Sequence, residues 1–387
     1  MKQVLLVLVL LFLLFPLPAA AEEGIDRRLL DEQSRAAGVS DLSRYYDTYL
    51  YQDTQEIAPD FSIDAMLDDL YNGKNALMPE GLLAKIAKLL FRELYQNLSG
   101  MVVIILIAIL CGFLTNMGTL GEEGGTQQAA FFVCYALICT VCAKMFITAV
   151  EGSVGAITNM SEFVKALTPV LVTLIATTGQ VTGAAIMNPV LYSAASVIIT
   201  VVGNILVPLV YCIFVLCAVN CVSSGFSMSK LVKLLKSVIK WIMGITLTVF
   251  TGITVIYSIS SGAVDSIASR TAKFAVGNFI PLVGGMLSDS IDLIISCSAI
   301  IKKGVGIAGI VVIVLLFASV AFRLVAQLWL FRLAAAFIQP VSDKRLAQLL
   351  DDTADCISMV FSALCMCAVL FLIVIVVIIC VGNVGAL

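Results

Sequence analysis

Residues 268–303 read ASRTAKFAVGNFIPLVGGMLSDSIDLIISCSAIIKK, a charged and interrupted stretch inside an apolar chain. It carries Arg270, Lys273, Asp289, Asp292, Lys302 and Lys303. Pro281 and the pair Gly284-Gly285 fall in its middle, where they oppose a continuous helix. Hydrocarbon penalises charges and unpaired backbone groups, so such a segment must be packed in protein, be wet, or lie at an interface. The fold has to accommodate it.

Outward from this stretch the composition decides the class. Of 387 residues, 60% are apolar and 13% charged, against roughly a quarter charged in a soluble domain. Apolar runs long enough to cross a bilayer recur from residue 101 to the end. The expectation is an all-α polytopic membrane protein with about eight to ten membrane segments. No His is present, which excludes Ser-His and Cys-His catalysis and the commonest zinc ligand. No P-loop occurs either, since GEEGGTQQ (121–128) lacks the lysine. Nothing points to a catalytic centre, a cofactor or a metal.

All twelve Cys lie at or after Cys111, so residues 22–100 hold no disulfide framework. Cys139 and Cys142 have redox spacing but sit in an apolar run, where packing between helices is the expected role. Residues 1–21, MKQVLLVLVLLFLLFPLPAAA, have a basic start, a short apolar core and an A-x-A ending, and fit a secretory signal peptide. Residues 22–100 are then extracytoplasmic. They hold 15 acidic and 8 basic residues, which offers no basic surface to nucleic acid. The four Tyr between Asp41 and Tyr51 suit helix packing. Leucines from Leu82 to Leu94 recur at helical spacing and predict an amphipathic helix along the outer surface. Asn97-Leu98-Ser99 matches a glycosylation sequon.

The first two spans are expected at 101–119 and about 129–150, with Lys144 snorkelling from the second. Thereafter the sequence reads as a repeat. VKALTPVLVTL (164–174) parallels VGNFIPLVGGM (276–286), and KLVKLLKSVIKW (230–241) parallels RLAQLLDDTADC (345–356), at offsets of 112 and 115 residues. The runs 189–206 and 207–226 correspond likewise to 304–321 and 322–341. The domain expectation is a signal peptide (1–21), an acidic helical region (22–100), two spans (101–150) and two membrane repeats (151–262 and 263–387). Each repeat opens on a segment rich in Pro and Gly, and such breaks at matching positions point to a binding or conduction site in transporters. Interfacial or re-entrant helices explain the same breaks.

Lys230, Lys233, Lys236 and Lys240 share one side of a helix, with Leu231, Leu234 and Leu235 turned away. A basic amphipathic helix belongs at an anionic, cytoplasmic leaflet. An exported N-terminus then needs an odd number of earlier crossings, with about three between residues 166 and 226. The same count places Lys302-Lys303 and Lys344-Arg345 on that face too, for a total of about ten, or eight if the broken segments fail to span. For Arg332, burial in the bundle is expected; for Arg323, snorkelling competes. Asp289 and Asp292 are partners for both by sign.

With these residues in view, the chain resembles the stage III sporulation protein AE family of endospore-forming bacteria. The resemblance rests on RTAKFAVGNFIPLVGGMLSDSID (270–292), KKGVGIAG (302–309) and RLAAAFIQP (332–340). GQVTGAAIMNPV (179–190), AILCGFL (108–114), YNGK (71–74) and LLFRELYQNL (89–98) add to it. It implies a mother-cell membrane protein, working with sister proteins and a partner ATPase in a secretion-like complex that forms a channel to the forespore. No catalytic residues come with the family. The candidate functional residues are Arg270, Lys273, Asn278, Pro281, Gly284, Gly285, Asp289 and Asp292. A secondary transporter working alone is the competing expectation.

Overall fold

The computed structural model describes residues 27–55, 57–59, 61–71, 82–117, 124–178, 180–222, 228–279 and 284–380. The expected signal peptide and the Asn72-Gly73 turn lie outside them. Every described element is helical. Four short helices come first: α1 (Arg27–Ala36), α2 (Val39–Tyr45), α3 (Tyr51–Thr54) and α4 (Ile63–Tyr71). Seven more follow: α5 (Leu82–Met117), α6 (Gly124–Thr177), α7 (Val181–Val201), α8 (Val207–Val222), α9 (Ser229–Phe279), α10 (Gly284–Ile338) and α11 (Lys344–Cys380).

Tyrosines organise the short helices. Tyr46 is fully buried, its hydroxyl is 2.6 Å from Thr54 Oγ1, and its ring meets Phe61 edge-on. Burial raises its pKa, keeping the phenol neutral. The expected packing role of this cluster is what the structure contains.

Among the described residues, six helical stretches are long and apolar enough to cross a membrane: Phe91–Leu114, Gln128–Thr177, Ala195–Cys221, Ser229–Thr254, Leu293–Ile338 and Lys344–Cys380. The chain is an all-α multi-pass membrane protein. Six differs from the expected eight to ten because segments that hydropathy separates are joined. Residues 304–321 and 322–341 fall largely within α10, with no turn between Gly284 and Ile338. The runs 189–206 and 207–226 are joined by a π turn at Val202–Leu206, whose flanking residues keep helical dihedrals. A span of 50 residues, Gln128–Thr177, is about 75 Å long at 1.5 Å per residue. That exceeds the ~30 Å of hydrocarbon, so the long helices project beyond it.

Pro169 does not break α6. Proline removes one helical donor and frees the carbonyl four residues earlier. That carbonyl belongs to Lys165, and the Tyr192 hydroxyl donates to it at 3.4 Å. A neighbouring helix thus satisfies the acceptor, as hydrocarbon requires. The interruption expected over residues 164–190 falls not at Pro169 but after Thr177, where α6 ends, and α7 then starts at Val181 and runs on through Pro189.

Contacts set the directions. Gly306 packs on Ile379, Gly309 on Ile375, and Arg332 pairs with Asp355, so α10 and α11 are antiparallel. Glu93 pairs with Arg323 and Asn97 with Gln327 at one constant offset, so α5 and α10 are parallel. Lys236, near the start of α9, pairs with Asp352 and Asp355, near the start of α11, and only four residues join the end of α9 to the start of α10 at the far end of α11, so α9 and α11 are parallel. The starts of α9 and α11 therefore share one end of the bundle, and Gly112 meets Val341 there. The short helices sit toward the other end: Asn159 of α6 donates to Asp53 at 2.6 Å, and Ser298 of α10 donates to Gln33 at 3.1 Å.

This arrangement corrects three expectations. Lys302 lies toward the end that holds the short helices, beside Gly304, which packs on Leu67. Lys302 and Lys303 are thus separated from Lys344 by most of α10, about 54 Å along the axis, and do not share its face. One helical run, Val181–Val222, stands where three crossings were expected between residues 166 and 226. Residues 82–97 continue unbroken into the span as α5 and lie alongside α10, not across it.

α11 is the most enclosed span, with 72% of its window buried, whereas Ser229–Thr254 of α9 is only 6% buried. Between helices in lipid, close van der Waals packing replaces the hydrophobic drive, and small residues permit it. A Cβ on Gly309 would stand 2.8 Å from Leu167 Cδ2, and one on Gly304 2.9 Å from Leu67 Cδ2. KKGVGIAG is therefore a packing seam against α4, α6 and α11.

Candidate functional site

The expected site brackets one helix junction. Arg270, Lys273 and Asn278 lie in the last three turns of α9. Gly284, Gly285, Asp289 and Asp292 lie in the first three turns of α10. Pro281 lies outside the described residues, as do the side-chain surroundings of the other seven. Helical spacing puts Asp289 and Asp292 about 60° apart on one side of α10. α9 runs away from the Lys344 end, so the junction belongs to the end holding the short helices. The break between α6 and α7, at residues 178–180, belongs to that end as well.

Polar groups outside the eight candidate residues form two networks. In the first, Lys236 Nζ lies 2.9 Å from Asp355 Oδ2 and 3.7 Å from Asp352 Oδ1. Arg332 Nη2 reaches Asp355 Oδ1 at 3.3 Å. Two cations face two carboxylates, so the group is neutral as a whole. It ties α9, α10 and α11 near the shared end. Arg332 is 54% exposed, which corrects the expectation of burial. Its partner is Asp355, and Arg323 has Glu93, not the aspartates at 289 and 292.

In the second network, Arg323 Nε lies 3.5 Å from Glu93 Oε2, and the Glu93 side chain is 5% exposed. One turn on, Gln327 Nε2 donates to Asn97 Oδ1 at 3.2 Å, while Asn97 Nδ2 donates to the Glu93 carbonyl at 2.8 Å. The two rungs fix the register of α5 against α10. They also engage both ends of the Asn97 amide inside a helix, so the sequon nitrogen is already committed.

One signal could have found the first network. At the repeat offset of 115, Lys236 aligns with Asp351 and Lys240 with Asp355. Equivalent helices of opposite charge are natural partners. α9 and α11 themselves begin 115 residues apart, at Ser229 and Lys344. The Glu93–Arg323 pair carried no such mark.

Lys144 is exposed, as snorkelling requires. The cysteines form no disulfide, and Cys142 is buried against the Thr353 hydroxyl. No group of three or more His, Cys, Asp or Glu suited to a metal occurs among the described residues. A small apolar cavity of about 20 Å³ lies beside the π turn, lined by Val150, Ile157, Val202, Leu206 and Val360 among others.

The family model for stage III sporulation protein AE matches residues 61–382, from just before α4 to just past the end of α11. The chain belongs to the stage III sporulation protein AE family. It is 28% identical over 317 residues to stage III sporulation protein AE of Bacillus subtilis (strain 168), which covers 82% of this chain and 79% of that protein. No solved structure matches. Membership implies a role in sporulation. Both networks and the whole α9–α10 junction fall inside the matched residues, whereas α1 to α3 precede them.

Proposed function

We propose that the chain is an integral subunit of a multiprotein conduit linking mother cell and forespore, needed for late forespore development. In this reading it resides in the mother-cell membrane with residues 22–100 extracytoplasmic. Its partners are other membrane proteins of the same sporulation complex and an ATPase, and it binds no nucleic acid.

The observation that carries this reading is the filled axis of the bundle. Ten successive residues of α11, Ala363 to Leu372, are buried. A helix enclosed on all sides over nearly three turns occupies the place a lumen would need. Conduction therefore falls to an assembly. The weakly buried α9 is the surface such an assembly leaves for lipid or neighbours.

A stand-alone secondary transporter would place its site at discontinuous helices near the bilayer midplane. Here the segment around Pro169 is continuous, and the described breaks fall at helix ends on one side. Both points count against that alternative. The test is twofold. The tagged chain, solubilised from sporulating cells, should retain other membrane proteins of its complex through a salt wash. The purified chain in liposomes should give no solute or ion flux above empty vesicles. Flux by the chain alone would overturn the subunit reading.

A further inference from the structure

Of the four lysines at the start of α9, only Lys236 turns inward to Asp352 and Asp355. Lys230, Lys233 and Lys240 are exposed, and so is Trp241, at 70%. Leu231 and Leu234, expected to turn away from the lysines, are exposed beside them, as is Val238, and Ile245, Val249 and Ile253 follow toward the middle of the helix. The lysines occupy the terminal turns, the indole comes next, and an aliphatic stripe follows. This order matches a headgroup layer, an interface and hydrocarbon along one helix.

The surroundings keep the balance positive. α11 begins at the same end with exposed Lys344 and with Arg345 over the Phe131 ring. Asp343 and Asp351 are the exposed acids there among the described residues, while Asp352 and Asp355 are held by Lys236 and Arg332. The ion-pair network thus removes the nearest carboxylates from competition and leaves three ammonium groups facing outward. Basic clusters beside a span attract anionic headgroups, each residue adding to the pull.

We infer that Lys230, Lys233 and Lys240, with Trp241, form a binding face for the phosphate headgroups of anionic phospholipids. An acidic protein segment could use the charge, but it would not account for the aliphatic stripe running on from the lysines without a break. The inference goes beyond the proposed conduit role and does not depend on it. Lipid selectivity is read on the chain alone, so its failure and that of the conduit reading are separable.

Trp241 supplies the reporter, because the chain has only two tryptophans. Full-length protein carrying Trp329→Phe is reconstituted in bilayers with equal fractions of brominated phosphatidylglycerol or brominated phosphatidylcholine. Quenching of Trp241 should be about twofold greater with the brominated anionic lipid. Lys230→Gln with Lys233→Gln and Lys240→Gln should bring the ratio to one, while Lys144→Gln leaves it unchanged. Trp241→Phe protein, reporting from Trp329, should show no preference. A ratio of one with all lysines present overturns the inference, and so does an undiminished ratio in the triple variant. A ratio of one together with a co-purifying protein that the triple variant loses would assign the face to that protein, and equally overturns it.

Discussion

Asp355 is shared by two cations from different helices, Lys236 at 2.9 Å and Arg332 at 3.3 Å. The carboxylate is 47% exposed and the lysine 21%, so neither is worth what a fully buried pair would be. Removing the carboxylate leaves Lys236 with Asp352, at 3.7 Å, and takes away the group that Arg332 reaches at 3.3 Å. Asp355→Ala should therefore cost about 1–2 kcal/mol, and Lys236→Met should cost less. A double-mutant cycle by thermal unfolding in detergent should give a coupling of about 1 kcal/mol.

Glu93 and Arg323 are unequal partners. The carboxylate is nearly buried, while the guanidinium is 43% exposed and stays solvated without it. Arg323→Ala leaves the nearly buried Glu93 with Arg92 alone, at 3.8 Å, and should cost about 1–2 kcal/mol, whereas Glu93→Gln should cost less than about 1. Equal losses would argue against the burial asymmetry.

Glycines separate into two groups. A Cβ on Gly306 would collide with the Ile379 side chain, and one on Gly112 with the Val341 carbonyl. Around Gly155 nothing lies within 4 Å. Gly155→Ala should stabilise the chain by about 0.5–1 kcal/mol through helix propensity. Gly306→Ala and Gly112→Ala should destabilise it by about 1–3 kcal/mol through overpacking. Melting temperatures moving in the same direction for all three would refute the packing seam.

The α9–α10 junction is the proposed functional site, and its test is in vivo. Asp289→Ala with Asp292→Ala should lower sporulation while the protein still accumulates in the membrane. Normal sporulation in that double mutant would retire the assignment.

The class of fold was legible because apolar runs and amphipathic spacing are local properties. The basic start of α9 at Lys230 to Lys240 was legible for the same reason. The number of spans was not legible, because hydropathy cannot tell a turn from a continuous helix. Pro169 read as a break; the Tyr192 hydroxyl that donates to the freed carbonyl is 27 residues away from Lys165. The partners of Arg323 and Arg332 were misjudged for a similar reason. Sign of charge alone favoured Asp289 and Asp292, and packing brought Glu93 from 230 residues away on the parallel α5.

The central structural claim is that α10 crosses once, which puts Lys303 and Lys344 on opposite faces. Single cysteines at Lys303, Asp343 and Asp41 in a Cys-free chain, probed with a membrane-impermeant thiol reagent in oriented vesicles, test it directly. The account predicts that the Lys303 and Asp41 positions react from one side and Asp343 from the other. Labelling of the Lys303 and Asp343 positions from the same side would contradict it.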